Sequence, residues 1–188
     1  MIEWVVRGLS EFPATETMLA RLPEWRRAKA LEYVSEVDRR QSAAAYLLLR
    51  ESLAKHGVDT DEPFVYSENG KPSLAGGRIA FSISHCADAV ACAVSDEGAV
   101  GCDVESVPDE VDFEVCGMVF DEAEISAIRN SGNAPLEFTK LWTLREARAK
   151  LLDEDLQNPV LSREIPGERK SALTADGYAA TVVWVSAL

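Results

Sequence analysis

Two stretches of the sequence carry side chains that could act together in chemistry. Asp103 and Glu105 stand two residues apart in a strand-like segment, 100–106, so both carboxylates project from the same face of that strand. Glu146 and Lys150 stand four residues apart in a segment with helical periodicity and share one face of the helix. Three carboxylates and a lysine brought together by the fold could hold a hard divalent cation beside a phosphate group.

Each of these pairs also has a purely structural interpretation. Alternating acids on a strand are more often a solvated face, although apolar neighbours such as Cys102 and Val104 make this pair more interesting. Glu146 and Lys150 could form an ordinary ion pair one helical turn apart. Taken alone, each pair favours the structural interpretation.

A third candidate is the turn at 69–72, Asn-Gly-Lys-Pro. Lys71 could serve there as a point charge for phosphate, but an ordinary turn explains the same residues. Ser84 and His85 end an apolar, strand-like run, where a lone histidine is usually a surface or capping group. The sequence has no glycine-rich nucleotide loop of either common pattern.

The elements that must position these residues alternate between strands and helices. Each half of the chain is expected to run strand, helices, strands, which predicts an α+β fold of two similar halves, 1–98 and 99–188, packed together. A site between two such halves is a common place for a ligand. The predicted strands are 2–7, 64–66, 78–84, 89–95, 99–106, 160–165, 171–174 and 178–186. The predicted helices are 15–22, 24–33, a strong helix that follows 35–38 and ends at Gly57, 111–119, 121–129 and 135–152.

The composition is that of an acidic protein, with 188 residues and a net charge of −13. This charge argues against nucleic acid as a partner, because a phosphate-binding face needs a basic stripe. The segment 21–50 is the exception, with seven basic and four acidic residues. It could receive an anionic ligand or an acidic partner, although a solvated helix surface is the plainer explanation.

The sequence contains no sign of a membrane or of secretion. No apolar run approaches the roughly 20 residues of a membrane span, and the first residues lack the basic and apolar regions of a secretory signal. We therefore expect a cytoplasmic protein with no membrane partner. The four cysteines lack zinc-ligand spacing and are expected to be buried, reduced thiols. They are Cys86, Cys92, Cys102 and Cys116.

Taken in order, five motifs resemble the 4′-phosphopantetheinyl transferase family, in its larger, pseudo-dimeric kind typified by the surfactin-synthetase activating enzyme. The resemblance covers residues from about 24 to 150 and is specific as an ordered set, whereas the tail after 152 matches poorly. The motifs are Asn-Gly-Lys-Pro at 69–72, Phe-Ser-Ile-Ser-His at 81–85, Gly-Cys-Asp-Val-Glu at 101–105, Phe-Asp-Glu-Ala-Glu at 120–124 and Trp-Thr-Leu-Arg-Glu-Ala-Arg-Ala-Lys at 142–150.

The resemblance implies two α+β halves related by a pseudo-twofold axis, with coenzyme A in the cleft between them. It implies that the phosphopantetheine arm of coenzyme A is transferred to a serine of an apo acyl or peptidyl carrier protein, with release of 3′,5′-ADP. Such phosphoryl transfer depends on positioning and charge neutralisation more than on covalent help. A monomer that uses Mg²⁺, with Mn²⁺ as a substitute, is expected.

The resemblance also implies a role for each candidate residue. Asp103, Glu105 and Glu146 would hold Mg²⁺ on the pyrophosphate, and Glu146 would also be the base for the carrier serine. Lys150 would neutralise phosphate charge as a second catalytic residue and contact coenzyme A. The other residues expected to contact coenzyme A are Arg26, Lys29, Arg40, Lys71, Pro72, Ser84, His85 and Arg145.

Three features depart from the family's pattern. Arg145 replaces a usual lysine, Gln41 stands where an arginine is usual with Arg40 beside it, and acids at 153–155 replace a glycine-containing stretch. The alternative to an active transferase is therefore a degenerate relative that binds coenzyme A or a carrier protein without transfer. Because carrier proteins are typically acidic around the modified serine, the basic segment 21–50 is predicted to be their docking face.

Overall fold

The computed structural model describes residues 1–58, 63–175 and 177–186. Helices and antiparallel strands alternate along these ranges, so the predicted α+β class is confirmed. The strands are β1 (Ile2–Gly8), β2 (Val65–Tyr66), β3 (Pro72–Ser73), β4 (Ala80–His85), β5 (Ala89–Ser95), β6 (Val100–Ser106), β7 (Arg169–Ala175) and β8 (Tyr178–Trp184). The helices are α1 (Thr15–Leu19), α2 (Glu24–Leu31), α3 (Glu36–Lys55), α4 (Phe113–Val119), α5 (Glu122–Asn130) and α6 (Ala134–Leu152).

Two three-stranded antiparallel sheets form the centre of the molecule. The first has the order β1-β5-β4 and the second the order β6-β8-β7. In the first sheet β5 pairs with both β1 and β4, and in the second sheet β8 pairs with both β6 and β7. In each sheet, the last strand in chain order is therefore the central one. The two sheets therefore share one connectivity. The division into halves at 1–98 and 99–188 remains a prediction.

Apolar strands and helix faces build the core, as their residue patterns predict. β5 is buried along its whole length, which suits a central strand with almost no polar residues. On α3, Tyr46, Leu49 and Leu53 are fully buried in the cluster that includes β5. A second cluster joins the two sheets, because it contains Ala91 of β5 together with β6 and β8 residues such as Val104.

Gly101 allows β6 and α6 to touch through their backbones. A Cβ at Gly101 would overlap the carbonyl oxygen of Ala147 and stand 2.5 Å from the amide nitrogen of Leu151. Only glycine leaves room for this approach. The approach matters for the site, because Asp103 follows on β6 and Lys150 lies on the same part of α6.

The tail of the chain differs from the sequence-based expectation. The strand predicted at 160–165 is wrong, because this region contains a 3-10 helix, Pro159–Ser162. Leu161 is buried, and its carbonyl oxygen accepts a hydrogen bond from Arg148 Nη1 at 2.9 Å, so a side chain rather than a neighbouring strand satisfies it. The flanking Pro159 has no N–H with which to pair in a sheet.

Two other expectations can be compared with the described residues. The four cysteines are free and buried, as predicted. Among the helices of the described ranges, none is both long and apolar enough to cross a membrane.

Candidate active site

The centre of the site is an ion pair between the buried Asp103 of β6 and Lys150 of α6, whose side chain is 31% exposed. Asp103 is 1% exposed, and its Oδ1 accepts hydrogen bonds of 2.6 Å from Lys150 Nζ and 2.6 Å from Ser84 Oγ. Lys150 also donates to Ser84 Oγ at 3.1 Å, and Glu146 Oε2 lies 3.8 Å from the same ammonium group. Three elements, β4, β6 and α6, thus bring four predicted site residues together.

The second carboxylate oxygen of Asp103 is unusual. Oδ2 is buried and has no hydrogen-bond partner among the described residues. Leaving a buried charged acceptor unsatisfied costs more than the roughly 1–3 kcal/mol of a neutral group. A cation or a water molecule at this oxygen would remove that cost.

Burial and mutual repulsion raise the proton affinity of the neighbouring carboxylates. Burial raises the pKa of Glu105 to about 7, and the negative charges of Asp103 and Glu146 add to this shift. The positive charge of Lys150 opposes it. Burial also raises the pKa of Glu146 more than Lys150 lowers it. Burial alone would lower the pKa of Lys150, but Asp103 and Glu146 outweigh it and raise that pKa. The site therefore has more carboxylates than cations to neutralise them.

These groups line a cleft large enough for a cofactor-sized ligand. The cleft encloses about 390 Å³, within the range typical of small-molecule sites. Its acidic wall contains Asp103, Glu105, Glu146 and Lys150. Its other wall comes from the first half of the chain and includes Arg26, Tyr33, Phe64, Tyr66, Pro72, Ser84 and His85.

The donor set suits a hard divalent cation in type and charge, since it offers carboxylate oxygens, one of which has no hydrogen-bond partner among the residues that the structure describes. Within the ranges that the structure describes, however, no group of three or more His, Cys, Asp or Glu side chains is placed so that it could hold a metal ion. The ammonium group of Lys150 occupies Oδ1 of Asp103. The metal roles of Asp103, Glu105 and Glu146 therefore stay a prediction.

The opposite wall offers cations to an anionic ligand. Arg26 is only 8% exposed, and its Nη2 donates to Ser42 Oγ at 2.7 Å and to the Ser42 carbonyl at 3.0 Å. Its Nε is buried without a hydrogen-bond partner among the described residues, and burial lowers the pKa of the guanidinium. His85 retains solvent-exposed surface, and partial burial, Lys150 and Arg26 together lower its pKa.

Lys71 and Asn69 tie the turn at 69–72 to the end of α6. Lys71 Nζ donates to the carbonyl of Leu151 at 3.3 Å, and Asn69 Nδ2 donates to the carbonyl of Asp153 at 2.6 Å. Burial lowers the pKa of Lys71, although the nearby charge of Asp153 opposes the shift. Lys71 also lines a second cavity, of about 270 Å³, which shares Pro72, Ile83, Glu146 and Lys150 with the cleft.

Three of the predicted coenzyme A contacts lie outside both cavities. Arg40 donates to the carbonyls of Leu9, Phe12 and Pro13. Arg145 donates to the carbonyls of Leu156 and Asn158 and to Ser162 Oγ. The ammonium group of Lys29 lies 5.9 Å from the centre of the Tyr66 ring. The structure brings the other candidates together, and the roles of these three remain predictions.

The sequence did not single out several aromatic residues that line the cleft, and it did not place the acids at 153–155 at a cavity. Tyr33, Phe64 and Tyr66 line the cleft, and Asp153 and Glu154 line the second cavity. Tyr33 follows the end of α2, Phe64 precedes β2 and Tyr66 lies in it, and no periodic pattern there distinguishes a cavity wall from an ordinary surface. The acids at 153–155 stood out as a departure from a family pattern, but their place at the second cavity depends on the fold.

The chain was compared with a family model and with curated proteins, and each match covers about half of it. Residues 99–184 match the sequence model of the 4′-phosphopantetheinyl transferase superfamily. The chain is similar to the 4′-phosphopantetheinyl transferase AcpT of Salmonella typhimurium, with 38% identity over 91 residues, or 46% of this chain and 47% of that protein. It is 32% identical to AcpT of Escherichia coli (strain K12) over 104 residues, 53% of each chain. The chain thus spans about half the length of the curated relatives it matches.

Proposed function

We propose that this protein transfers the 4′-phosphopantetheine group of coenzyme A to a serine of an apo acyl or peptidyl carrier protein. The observation that carries the proposal is the group of Asp103, Glu105, Glu146 and Lys150 on one wall of the cleft. All four lie inside 99–184, the region that matches the superfamily. The cations on the opposite wall supply charge for an anionic donor.

The reaction can be written in terms of the residues in the cleft. The serine oxygen attacks the phosphorus that carries pantetheine, the bond from this phosphorus to the bridging oxygen breaks, and 3′,5′-ADP leaves. Glu146 takes the serine proton, and its raised pKa makes it a better proton acceptor near neutral pH. Lys150, held by Asp103 and Ser84, stabilises the negative charge on the phosphoryl oxygens.

Asp103, Glu105 and Glu146 would hold Mg²⁺, with Mn²⁺ as a substitute. Oδ2 of Asp103, which accepts no hydrogen bond from the described part of the chain, supports this assignment. The raised pKa of Glu105 supports it too, because a cation would stabilise both carboxylates. When bound, the ion neutralises charge on the pyrophosphate. The chain's own residues still position the donor and accept the proton.

The remaining candidates would bind the donor away from the reacting phosphorus. Arg26 and Lys71 are cations that line the cavities, and together with His85 they would contact phosphates of the nucleotide end. Pro72 and Ser84 would line the same site. Lys29, Arg40 and Arg145 could contact coenzyme A only after leaving their present contacts within the protein. Their assignment to coenzyme A therefore has the least structural support.

The function is tested by incubating the purified protein with coenzyme A, Mg²⁺ and apo carrier proteins from the same genome. Mass spectrometry should detect a phosphopantetheine adduct on the serine of at least one carrier. Asp103→Asn should abolish transfer, because it removes the charge that holds Lys150, whereas Asp109→Asn at an exposed position should not. Circular dichroism confirms that both variants are folded. Failure to modify any carrier would refute the proposal.

A non-catalytic binder is the second candidate. This candidate binds coenzyme A or a carrier protein without transfer. Two observations argue against transfer, namely the ammonium group of Lys150 on Oδ1 of Asp103, where a metal ion would bind, and the acids Asp153 and Glu154 in the second cavity, which would weaken the binding of coenzyme A. Calorimetry with coenzyme A, run beside the transfer assay, separates the two functions. Binding without turnover supports this candidate, and measurable turnover eliminates it.

We further propose that the protein acts as a monomer in the cytoplasm, where apo carrier proteins are available. Size-exclusion chromatography with light scattering tests the monomer. Cell fractionation tests the location. A stable dimer or a membrane-bound pool would contradict this part of the proposal.

A further inference from the structure

An apolar groove opens beside the candidate site. It encloses about 400 Å³, and Pro108, Val115, Phe138 and Trp142 contribute most of its apolar lining. Glu105 lines both this groove and the cleft. A molecule seated in the groove therefore lies next to the group of carboxylates proposed to act on the phosphate.

The neighbouring helix α4 extends the apolar surface. Cys116 on its inner side is fully buried, in a cluster with Phe120 and Ile128. On its outer side Phe113 and Val115 are each 37% exposed, and Met118 is 73% exposed. Large apolar side chains gathered on one solvent-facing element, next to an apolar groove, are typical of a surface that binds another protein.

The residues that surround the groove and α4 are mostly acidic. Between 101 and 128 the sequence has nine acidic residues and no lysine or arginine. Glu110 and Asp112 line the groove itself, and Glu114 is exposed on α4. The first cation after this stretch, Arg129, lies over the Phe113 ring at 4.9 Å from its centre.

The helix on the other side of the groove does not reverse this charge. This helix is α6, and its exposed Lys140 follows the lining residues Phe138 and Thr139 in sequence. The ammonium group of Lys140 lies 3.7 Å from the carboxylate of Glu137. A partner that enters the groove thus meets apolar side chains among an excess of acidic groups, with Arg129 and Lys140 as exposed cations nearby. Like charges brought together at an interface lower affinity and slow association.

We propose that the groove and α4 dock an amphipathic helix of the protein that presents the acceptor serine, and that they select a helix with basic or neutral flanks over an acidic one. The inference rests on the proposed function, since it assigns the surface to the carrier partner. It also moves the docking face away from the segment 21–50. There Arg26 is buried, and Arg39, Arg40 and Arg50 donate to backbone carbonyls, which leaves Arg21, Arg27 and Lys29 as the exposed cations most accessible to a partner.

A binding experiment tests the surface without requiring turnover. Two synthetic amphipathic helical peptides share one face of leucine and isoleucine, and differ only in whether lysine or glutamate flanks that face. Fluorescence anisotropy with the full chain should give about tenfold tighter binding for the lysine peptide, and that affinity should fall as salt is added. Equal binding of the two peptides, or tighter binding of the glutamate peptide, would overturn the proposal.

Variants of the chain locate the surface. Met118→Asp should weaken binding of the lysine peptide about tenfold, because it places a charge in the apolar contact, and Glu110→Lys should reduce the preference between the two peptides. Val34→Asp is the matched control, because Val34 is 94% exposed and belongs to the segment 21–50. If Val34→Asp weakens binding and Met118→Asp does not, the docking face lies at 21–50 and the proposal is wrong.

The transfer assay distinguishes this inference from the proposed function. If no carrier is modified but the lysine peptide binds at Met118, the function fails and the docking surface stands. If carriers are modified, then Glu110→Lys should increase the use of an acidic carrier relative to the wild-type chain at low salt. The inference would be overturned if the most acidic carrier were modified fastest and Glu110→Lys did not change that rate. The proposed function would still stand.

Discussion

Asp103 and Lys150 form a charged pair that the protein buries and yet satisfies only in part. Oδ1 of Asp103 accepts two short hydrogen bonds, whereas Oδ2 accepts none from the described residues. Removing one member of a buried pair typically costs about 3–5 kcal/mol, because the other charge remains without compensation. A fold retains such an arrangement at a cost in stability, and a site that handles phosphate and a cation is a physical reason for it.

Glu105 gives the site a pH dependence that can be measured by unfolding. Its pKa is about 7 in the folded protein, against 4.5 for an ordinary glutamate. Between these two values the unfolded chain releases this proton before the folded protein does, so the folded state loses stability as pH rises from 4.5 through about 7. Below that window the contribution of the protonated carboxyl is fully present.

Glu105→Gln removes this titration. In metal-free buffer, we expect the variant to gain thermal stability over the wild type at about pH 8, and to gain much less at about pH 5. Thermal unfolding followed by circular dichroism measures both differences. Glu110→Gln, at an exposed acid near the same strand, is the control. A gain that is the same at both pH values would show that repulsion at Glu105 is not its cause.

The contact of β6 with α6 converts two local patterns into one site. Asp103 and Glu105 alternate along the strand, and Glu146 and Lys150 are one turn apart on the helix. The side chains meet only because the backbones touch at Gly101. Arg145 lies on the same helix but projects elsewhere, where it holds the segment that contains Asn158 and Ser162 through hydrogen bonds.

Gly101→Ala should push β6 and α6 apart. Overpacking of this kind typically costs about 1–3 kcal/mol of unfolding free energy, and the clash here involves backbone atoms that cannot rotate away. Denaturant unfolding measures this loss, and transfer activity should fall with it because Lys150 moves away from Asp103. Gly117→Ala is a matched control. Gly117 lies in α4 with open space around it, so alanine there should stabilise by about 0.5–1 kcal/mol. A small effect of both substitutions would contradict the close packing.

The two halves of the molecule are joined across the site. Ser84 of β4 donates to Asp103 of β6, and the turn at 69–72 donates to the end of α6 through Asn69 and Lys71. We propose that these bonds, with the apolar cluster shared by both sheets, let the halves 1–98 and 99–188 act as one body. Asp153 ends α6 with φ of 58°, and its carbonyl is the acceptor for Asn69.

Asn69→Ala tests this connection. The loss of one hydrogen bond should lower the unfolding free energy by about 0.5–1.5 kcal/mol, and amide hydrogen exchange should become faster in the last turn of α6. Asn130→Ala is the control, because the side-chain amide of Asn130 donates locally, to Ser126 Oγ one helical turn earlier. Unchanged exchange around Asp153 in Asn69→Ala would mean that the turn does not stabilise the end of the helix.

Short-range patterns in the sequence determine much of this structure. The apolar run of β5, the acidic capping box at Asp121 and Glu124 that begins α5, and the proline near the start of α6 are all local signals, and each element formed as expected. The shared face of Asp103 and Glu105, and that of Glu146 and Lys150, follow from strand and helix geometry alone. The order of the motifs then pointed to phosphopantetheine transfer.

Only the tertiary structure decided which of these side chains meet. The bond of Lys150 to Asp103 joins residues 47 apart in the chain, and that of Asn69 to Asp153 joins residues 84 apart. Local periodicity carries no information on such contacts. The same reason explains the 3-10 helix in place of a strand at 160–165, and the arginines of 21–50 that donate to the backbone. It also explains the groove beside Glu105, because its walls come from separate parts of the chain that only the packed fold brings together.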